Sequence, residues 1–277
     1  MMTIISGVGL LLLTLAVFSI FSLKFPKGSQ AMSGMANAAV ASFLIEAVHK
    51  YITGDLLGIA FLGEVGATAG SLGGVAAGIM VPLSMGVNPV FAVVGGLACG
   101  GYGILPGFIA GYIVGLIAPY IEKYLPTGLD IILGSLTIAP MARLFALVVD
   151  PAVNSILGMI GGTITAAADQ SPVIMGFLLG GIMKMICTSP LSSMALTAML
   201  GLTGLPMGIA AIACFGGSFT NGMVFHKMGY GDKSNVIAVM LEPLTQAHIV
   251  TAHPIPICVS NFFGGGLAGL AAAMLGI

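Results

Sequence analysis

Apolar stretches long enough to cross a bilayer follow one another along nearly the whole chain, separated by short polar intervals. A helical span needs about 20 consecutive apolar residues, so the pattern predicts an all-α, polytopic membrane protein with about eight to ten helical segments. The polar intervals are no longer than about 15 residues, which is too short for a soluble domain. We therefore expect one integral membrane, transporter-like domain over residues 1–277 and no soluble domain.

The coarse pattern also predicts where the helical segments lie. They are 1–22, 31–52, 58–85, 89–101, 105–124, 129–149, 151–168, 172–187, 190–202, 206–225, 235–249 and 256–277. Two of them, 190–202 and 235–249, are too short to cross, which predicts broken or re-entrant helices of the kind found in transporters. Similar Asn-Pro and Asp-Pro turns at Val87 and Val149, each expected to open a helix, suggest a weak internal repeat.

Composition agrees with this class, because 58% of the residues are hydrophobic and only 6% are charged. Among the 42 glycines, Gly107, Gly111 and Gly115 have the GxxxG spacing that lets helices approach closely. This spacing favours packing within the chain, and a dimer interface is the alternative. The four cysteines lack CxxC spacing, so we expect small buried apolar residues and neither a disulfide framework nor a zinc site.

Ionisable residues inside apolar sequence point to function, because a membrane tolerates them mainly beside a cavity or a partner. Glu46 and Lys50, four residues apart, fit an ion pair at a helix end. Asp169 and Gln170 follow a nearly uncharged run, so they lie either at the membrane surface or on a cavity. Lys184 precedes a helix break, where its ammonium could simply reach the membrane surface.

The richest polar stretch is LEPLTQAHIVTAHPIP, which begins at Leu241. Pro243 suits the first turn of a short helix, so the Glu242 carboxylate should lie beside free amide donors. Gln246 lies one turn further along, and His248 and His253 follow. The prolines after His253 are expected to prevent regular helix. A carboxylate, an amide and imidazoles beside irregular backbone suit a polyhydroxylated ligand.

Two other interpretations of this stretch compete with a substrate or proton site. Glu242, His248 and His253 are five or six residues apart, which does not suit zinc, and no metal or other cofactor is predicted. A structural polar plug satisfied by neighbouring backbone is the second alternative. The chain has no basic patch or aromatic platform, so nucleic acid is not an expected partner.

Several segments resemble the membrane-embedded IIC subunits of bacterial phosphotransferase systems. EPLTQAHIVTAHPIP, from Glu242, resembles the family's acidic signature, and GFIAGYIVGLIAPYIEKYLP, from Gly107, is similar to a fructose-type IIC helix. LGMIGGTITAAADQSPVIMGFLLG, from Leu157, resembles the stretch that carries an Asp before a Gly-Pro turn, although Gln170 and Ser171 replace the glycines. The segment from Lys27 to Gly58 resembles the subfamily of perfringolysin O regulator proteins.

The resemblance implies a multi-pass, homodimeric sugar permease in the plasma (inner) membrane of a bacterium. Glu242 would contact sugar hydroxyls and act as general base, with Gln246, His248, His253, Asp169 and Gln170 as further substrate ligands. Fused IIA and IIB domains are not expected, so a phosphoryl group would come from separate IIA and IIB proteins, and enzyme activity stays open. The alternatives are a membrane sensor or regulatory receptor and a stand-alone secondary transporter.

Overall fold

The computed structural model describes residues 2–126, 128–168, 170–189 and 204–276, with side chains described from residues 6 and 205 in the first and last ranges. These residues form helices joined by turns, with no strand among them. Among the described residues, six helices are long and apolar enough to cross a membrane, or up to seven if one bent pair is a single span. The predicted all-α, polytopic architecture is confirmed, while the expected segment 190–202 lies outside the described residues.

The helices are numbered in chain order. They are α1 (Met2–Lys24), α2 (Gly28–Ala39), α3 (Ala60–Ser71), α4 (Gly73–Ser84), α5 (Pro89–Ala98), α6 (Ile104–Tyr124), α7 (Leu129–Ala168), α8 (Pro172–Thr188), α9 (Gly204–Met228), α10 (Lys233–Leu241), α11 (Ala247–Ala252) and α12 (Pro254–Leu275). Two π-helical stretches, Val40–Leu44 and Glu46–Leu56, continue α2, and a 3₁₀ turn, Pro243–Gln246, precedes α11.

The chain forms two compact units. The central unit comprises Pro26–Asn154, and the terminal unit combines Met1–Phe25 with Ser155–Ile277. The boundary between the two ranges falls within α7. The expectation of one integral membrane domain over the whole chain stays a prediction.

In the central unit, α6 packs closely on α4 through its glycines. Gly107, Gly111 and Gly115 are all buried, and a Cβ on Gly111 would lie only 3.1 Å from the Ala77 carbonyl oxygen. The GxxxG stripe therefore serves packing within the chain, because small residues let two backbones approach. In the same unit, the expected Glu46–Lys50 ion pair forms at 3.0 Å, within the π-helical stretch.

In the terminal unit, α8, α9 and α12 pack against one another, again through glycines. A Cβ on Gly180 of α8 would lie 2.5 Å from the Gly265 carbonyl oxygen of α12, and one on Gly176 would lie 2.7 Å from that of Gly269. Gly176 and Gly180 of α8 are one turn apart, and so are the residues they meet on α12, Gly269 and Gly265. The two helices are therefore antiparallel. These contacts fix which side chains of the two helices face each other.

Two expectations about prolines were wrong. Segments 129–149 and 151–168 form the single helix α7, with Pro140 and Pro151 inside it. A membrane helix tolerates interior proline because neighbouring helices, hydroxyl side chains and local backbone adjustments satisfy the freed backbone groups. Asp150 therefore opens no helix, whereas Asn88 caps α5 by accepting from the Val90 N–H at 2.9 Å, so the two proposed repeat turns differ.

The prolines after His253 also do not prevent helix formation. Pro254 and Pro256 lie in the first turn of α12. The first N–H groups of a helix have no intrahelical partner, so proline costs nothing there. A different break is found at Leu72, where α3 and α4 are bent by 60°, although the sequence predicted one segment over 58–85.

Candidate functional site

Glu242 occupies a break between two short helical elements. Its backbone is extended, with φ −148° and ψ 102°, where α10 ends and the 3₁₀ turn begins. The Glu242 side chain accepts a hydrogen bond from the Leu244 N–H at 3.2 Å, and the Thr245 hydroxyl donates to the Glu242 carbonyl at 2.7 Å. The predicted helix start at Pro243, with the carboxylate beside free amides, is confirmed.

Lys184 of α8 is fully buried, with an exposed fraction of 0%. Its ammonium donates to the Cys214 carbonyl and to Ser218 Oγ of α9, each at 3.1 Å. The Ser218 hydroxyl in turn donates to the same carbonyl at 2.8 Å. Two fixed acceptors thus hold the cation inside the helix packing, and it does not reach the surface.

Glu242 and Lys184 line the same cavity of about 300 Å³. Ser218 and the apolar side chains of Phe215, Met240 and Leu241 contribute to its wall. Ligand sites commonly combine an apolar wall with a few placed polar groups, and this volume is at the small end of their range. The cavity therefore offers an acceptor and a cationic donor to one small polar solute.

The pKa of Glu242 depends on its burial and on two neighbouring groups that oppose the effect of burial. Burial raises the pKa of the Glu242 carboxyl above its ordinary value, and the Leu244 N–H and the Lys184 charge act in the opposite direction. Burial also lowers the pKa of His248, which keeps that imidazole neutral to lower pH. A partly desolvated carboxylate is a stronger proton acceptor than a solvated one.

The other predicted ligands are not among the residues that line this cavity. The Gln246 amide oxygen accepts from Asn235 at 2.8 Å, and its amide nitrogen donates to Thr245 at 3.2 Å. The ring of His253 is stacked on Tyr230 with centroids 4.0 Å apart. Their roles as sugar ligands stay predictions.

His248 and Gln170 are also placed elsewhere. His248 lies on α11, and its buried Nδ1 has no hydrogen-bond partner among the described residues. Gln170 lies between α7 and α8 and donates to the Ala166 carbonyl at 3.0 Å. Asp169 lies outside the described residues. The structure therefore brings Glu242 together with Lys184 and not with the predicted amides and imidazoles.

Sequence reasoning did not include Lys184 among the site residues. The available signal was a lone cation in an apolar helix followed by Thr188 and Ser189. A long basic side chain near a helix end often extends to the membrane surface, so this signal could not identify a buried ligand. Only the packing of α8 on α9 and α12 places Lys184 on the cavity that Glu242 also lines.

The cysteines differ from expectation in one respect. Cys187 of α8 and Cys214 of α9, both on the cavity wall, form a disulfide, whereas all four were expected to be unpaired. They are 27 residues apart in sequence and meet because α8 and α9 pack side by side. Cys99 and Cys258 are free. Within the parts of the chain that the structure describes, no three His, Cys, Asp or Glu side chains cluster as metal ligands would.

A comparison with known families extends over most of the chain. The family model described as phosphotransferase system, EIIC, matches residues 29–277. The matched range includes every residue that lines the cavity. No curated protein and no solved structure matches the chain.

Proposed function

Because the chain belongs to the EIIC family of the phosphotransferase system, we propose that its Glu242 cavity binds the sugar that this multi-pass membrane permease transports. One observation carries the proposal: a carboxylate and an ammonium, in a chain with few charges, line one small and otherwise mainly apolar cavity. Burying either group is unfavourable, so their joint placement indicates a polar occupant.

Glu242 and Lys184 have complementary roles in this proposal. The carboxylate accepts hydrogen bonds from sugar hydroxyls, and the ammonium donates to a hydroxyl oxygen. Hydrogen bonds to charged groups are stronger than those between neutral groups, which lets two residues orient a small solute. Apolar side chains such as Phe215 cover the faces of the sugar ring that carry C–H groups.

Phosphorylation is the second part of the proposal. A separate IIB protein carries the phosphoryl group on a Cys or His and transfers it to a sugar hydroxyl. As the new O–P bond forms and the bond to the carrier breaks, Glu242 takes the hydroxyl proton, and Lys184 offsets the negative charge of the phosphoryl group. The IIC resemblance further supports a homodimer in a bacterial plasma membrane.

Transport assays with the full chain in liposomes test this function. We expect radiolabelled sugar added outside to accumulate inside as sugar phosphate when phosphorylated IIB protein is enclosed in the liposomes. Glu242→Gln should lower the rate at least about a hundredfold, as for loss of a general base. Thr251→Val, which changes a buried hydroxyl that does not line the cavity, serves as the control.

The same assay separates the alternatives. Uptake of unmodified sugar without any IIB protein indicates a stand-alone secondary transporter, and saturable binding without flux indicates a receptor. Unchanged sugar binding, flux and phosphorylation in Glu242→Gln would remove Glu242 from the site under all three.

A further inference from the structure

Three polar side chains lie in the packed core of α8, α9 and α12, one turn beyond Lys184. They are Thr188, Asn221 and Asn261, with exposed fractions of 2%, 1% and 0%. At 1.5 Å per residue, Thr188 lies about 6 Å further along α8 than Lys184. The three residues belong to the same unit as the cavity, but they are not part of its lining.

The helix packing places Asn261 near the level of Thr188. Gly265 of α12 lies against Gly180 and Lys184 of α8. Because α8 and α12 are antiparallel, the turn after Lys184 on α8 faces the turn before Gly265 on α12. Asn261 is the residue one turn before Gly265, on the same helical face.

The hydrogen bonds of this group are incomplete. Asn221 Nδ2 donates to Thr188 Oγ1 at 3.2 Å, and Thr188 Oγ1 donates to the Lys184 carbonyl at 3.0 Å. Asn221 Oδ1 and both amide atoms of Asn261 have no hydrogen-bond partner among the described residues. One amide nitrogen and two amide oxygens are therefore available to a ligand.

Helix packing alone does not account for these amides. Most buried polar groups in proteins have a partner, and one without a partner lowers stability. Leucine has a similar shape and would pack in the same space without that loss. A donor and acceptors on facing helical turns inside an apolar core match a hydroxyl group, which both donates and accepts.

We propose that Asn221 and Asn261 form a second sugar subsite, one helical turn from the Glu242 cavity, which binds hydroxyl groups of the uncharged sugar. The proposal rests on the sugar transport proposed above and deepens it, because it assigns a transit position beyond the cavity. The amides carry no charge, so this subsite holds the sugar without the strong attraction that would trap it. The described state closes the subsite to solvent, so the sugar enters it when α8, α9 and α12 move apart.

Sugar binding by full-length variants in detergent tests the subsite. Isothermal titration calorimetry with hexoses, hexitols and amino sugars identifies a sugar that binds the native chain, and its monodeoxy derivatives are then titrated. We expect Asn261→Leu to weaken binding about tenfold or more. One deoxy derivative should bind the native chain and Asn261→Leu equally, because it lacks the hydroxyl that Asn261 contacts. Glu242→Gln is titrated in parallel.

Thermal unfolding supplies a readout that does not depend on sugar. Without sugar, Asn261→Leu should raise the unfolding midpoint by about 2–4 °C, because it removes an unpartnered buried amide. Thr251→Val is the matched control: Thr251 is similarly buried, at 3% exposed, but its hydroxyl donates to the Ala247 carbonyl at 2.7 Å. It should not raise the midpoint or change sugar affinity.

The possible results separate the two proposals. Native-like sugar affinity in Asn261→Leu, with affinity lost in Glu242→Gln, overturns the second subsite and leaves the cavity in place. A lower unfolding midpoint in Asn261→Leu also overturns the subsite, because it indicates a structural amide with partners. If the native chain binds none of the sugars, both proposals fall.

Discussion

Gly217 lies beneath the Lys184 side chain, so Gly217→Ala should displace the ammonium from the cavity wall. A Cβ at Gly217 would lie 2.6 Å from Cγ and Cδ of Lys184 and 2.7 Å from Cε. Ordinary carbon contacts are about 3.5–4.0 Å, so the side chain must move by about 0.9 Å. Its ammonium is held by two 3.1 Å hydrogen bonds, and a shift of that size away from the acceptors breaks them.

The magnitude follows from three contributions. Overpacking a buried position lowers stability by about 1–3 kcal/mol, and loss of hydrogen bonds from a charged group lowers it by about 1.5–3 kcal/mol. Alanine is better than glycine in a helix by about 1 kcal/mol. We expect Gly217→Ala to lower the free energy of unfolding by about 1.5–5 kcal/mol, and the unfolding midpoint by roughly 3–20 °C.

Circular dichroism of the variants in detergent measures this change, with Gly158→Ala as the matched control. Gly158 is an exposed glycine of α7, and a Cβ there would meet nothing within 4 Å, so its substitution should leave stability unchanged or slightly raised. In a Lys184→Ala background the clashing atoms are gone, and Gly217→Ala should then lower stability by less than about 1 kcal/mol. Equal losses in both backgrounds, or a Gly217→Ala variant as stable as Gly158→Ala, would refute the reasoning.

Two further predictions concern Glu242 and His253. Burial raises the folded-state pKa of Glu242, so its protonated form stabilises the fold at low pH, and this contribution is lost as pH rises through that pKa. The side chain of Glu242→Gln stays neutral at every pH. The difference between its unfolding midpoint and that of the native chain should therefore be more positive at about pH 8 than at about pH 4. Thermal scans that show the opposite trend would contradict this. His253→Ala removes the ring that stacks on Tyr230, so it should lower the free energy of unfolding by about 0.5–1.5 kcal/mol. Calorimetry of this variant should show native sugar affinity. A tenfold weaker affinity would instead make His253 a ligand.

The amino-acid sequence alone determined the class of this protein and its local breaks. Long apolar runs with few charges exclude a soluble fold and predicted helices of membrane-spanning length, but not the continuity of α7 or the break between α3 and α4. The start of the turn at Pro243 and the Glu46–Lys50 ion pair were also predictable. Caps and pairs four residues apart act within about one helical turn, so neighbouring residues suffice to predict them.

The tertiary structure decided which polar groups meet. Lys184 and Glu242 line one cavity because glycines on α8 and α12 let the backbones approach, and α9 supplies the two acceptors of the Lys184 ammonium. The same packing joins Cys187 to Cys214. Helices that are apolar and glycine-rich on every side show no polar face in the sequence, so their contact faces cannot be predicted from periodicity. Which residues far apart in sequence come into contact depends on which helix faces pack together, and this is determined only in the folded chain.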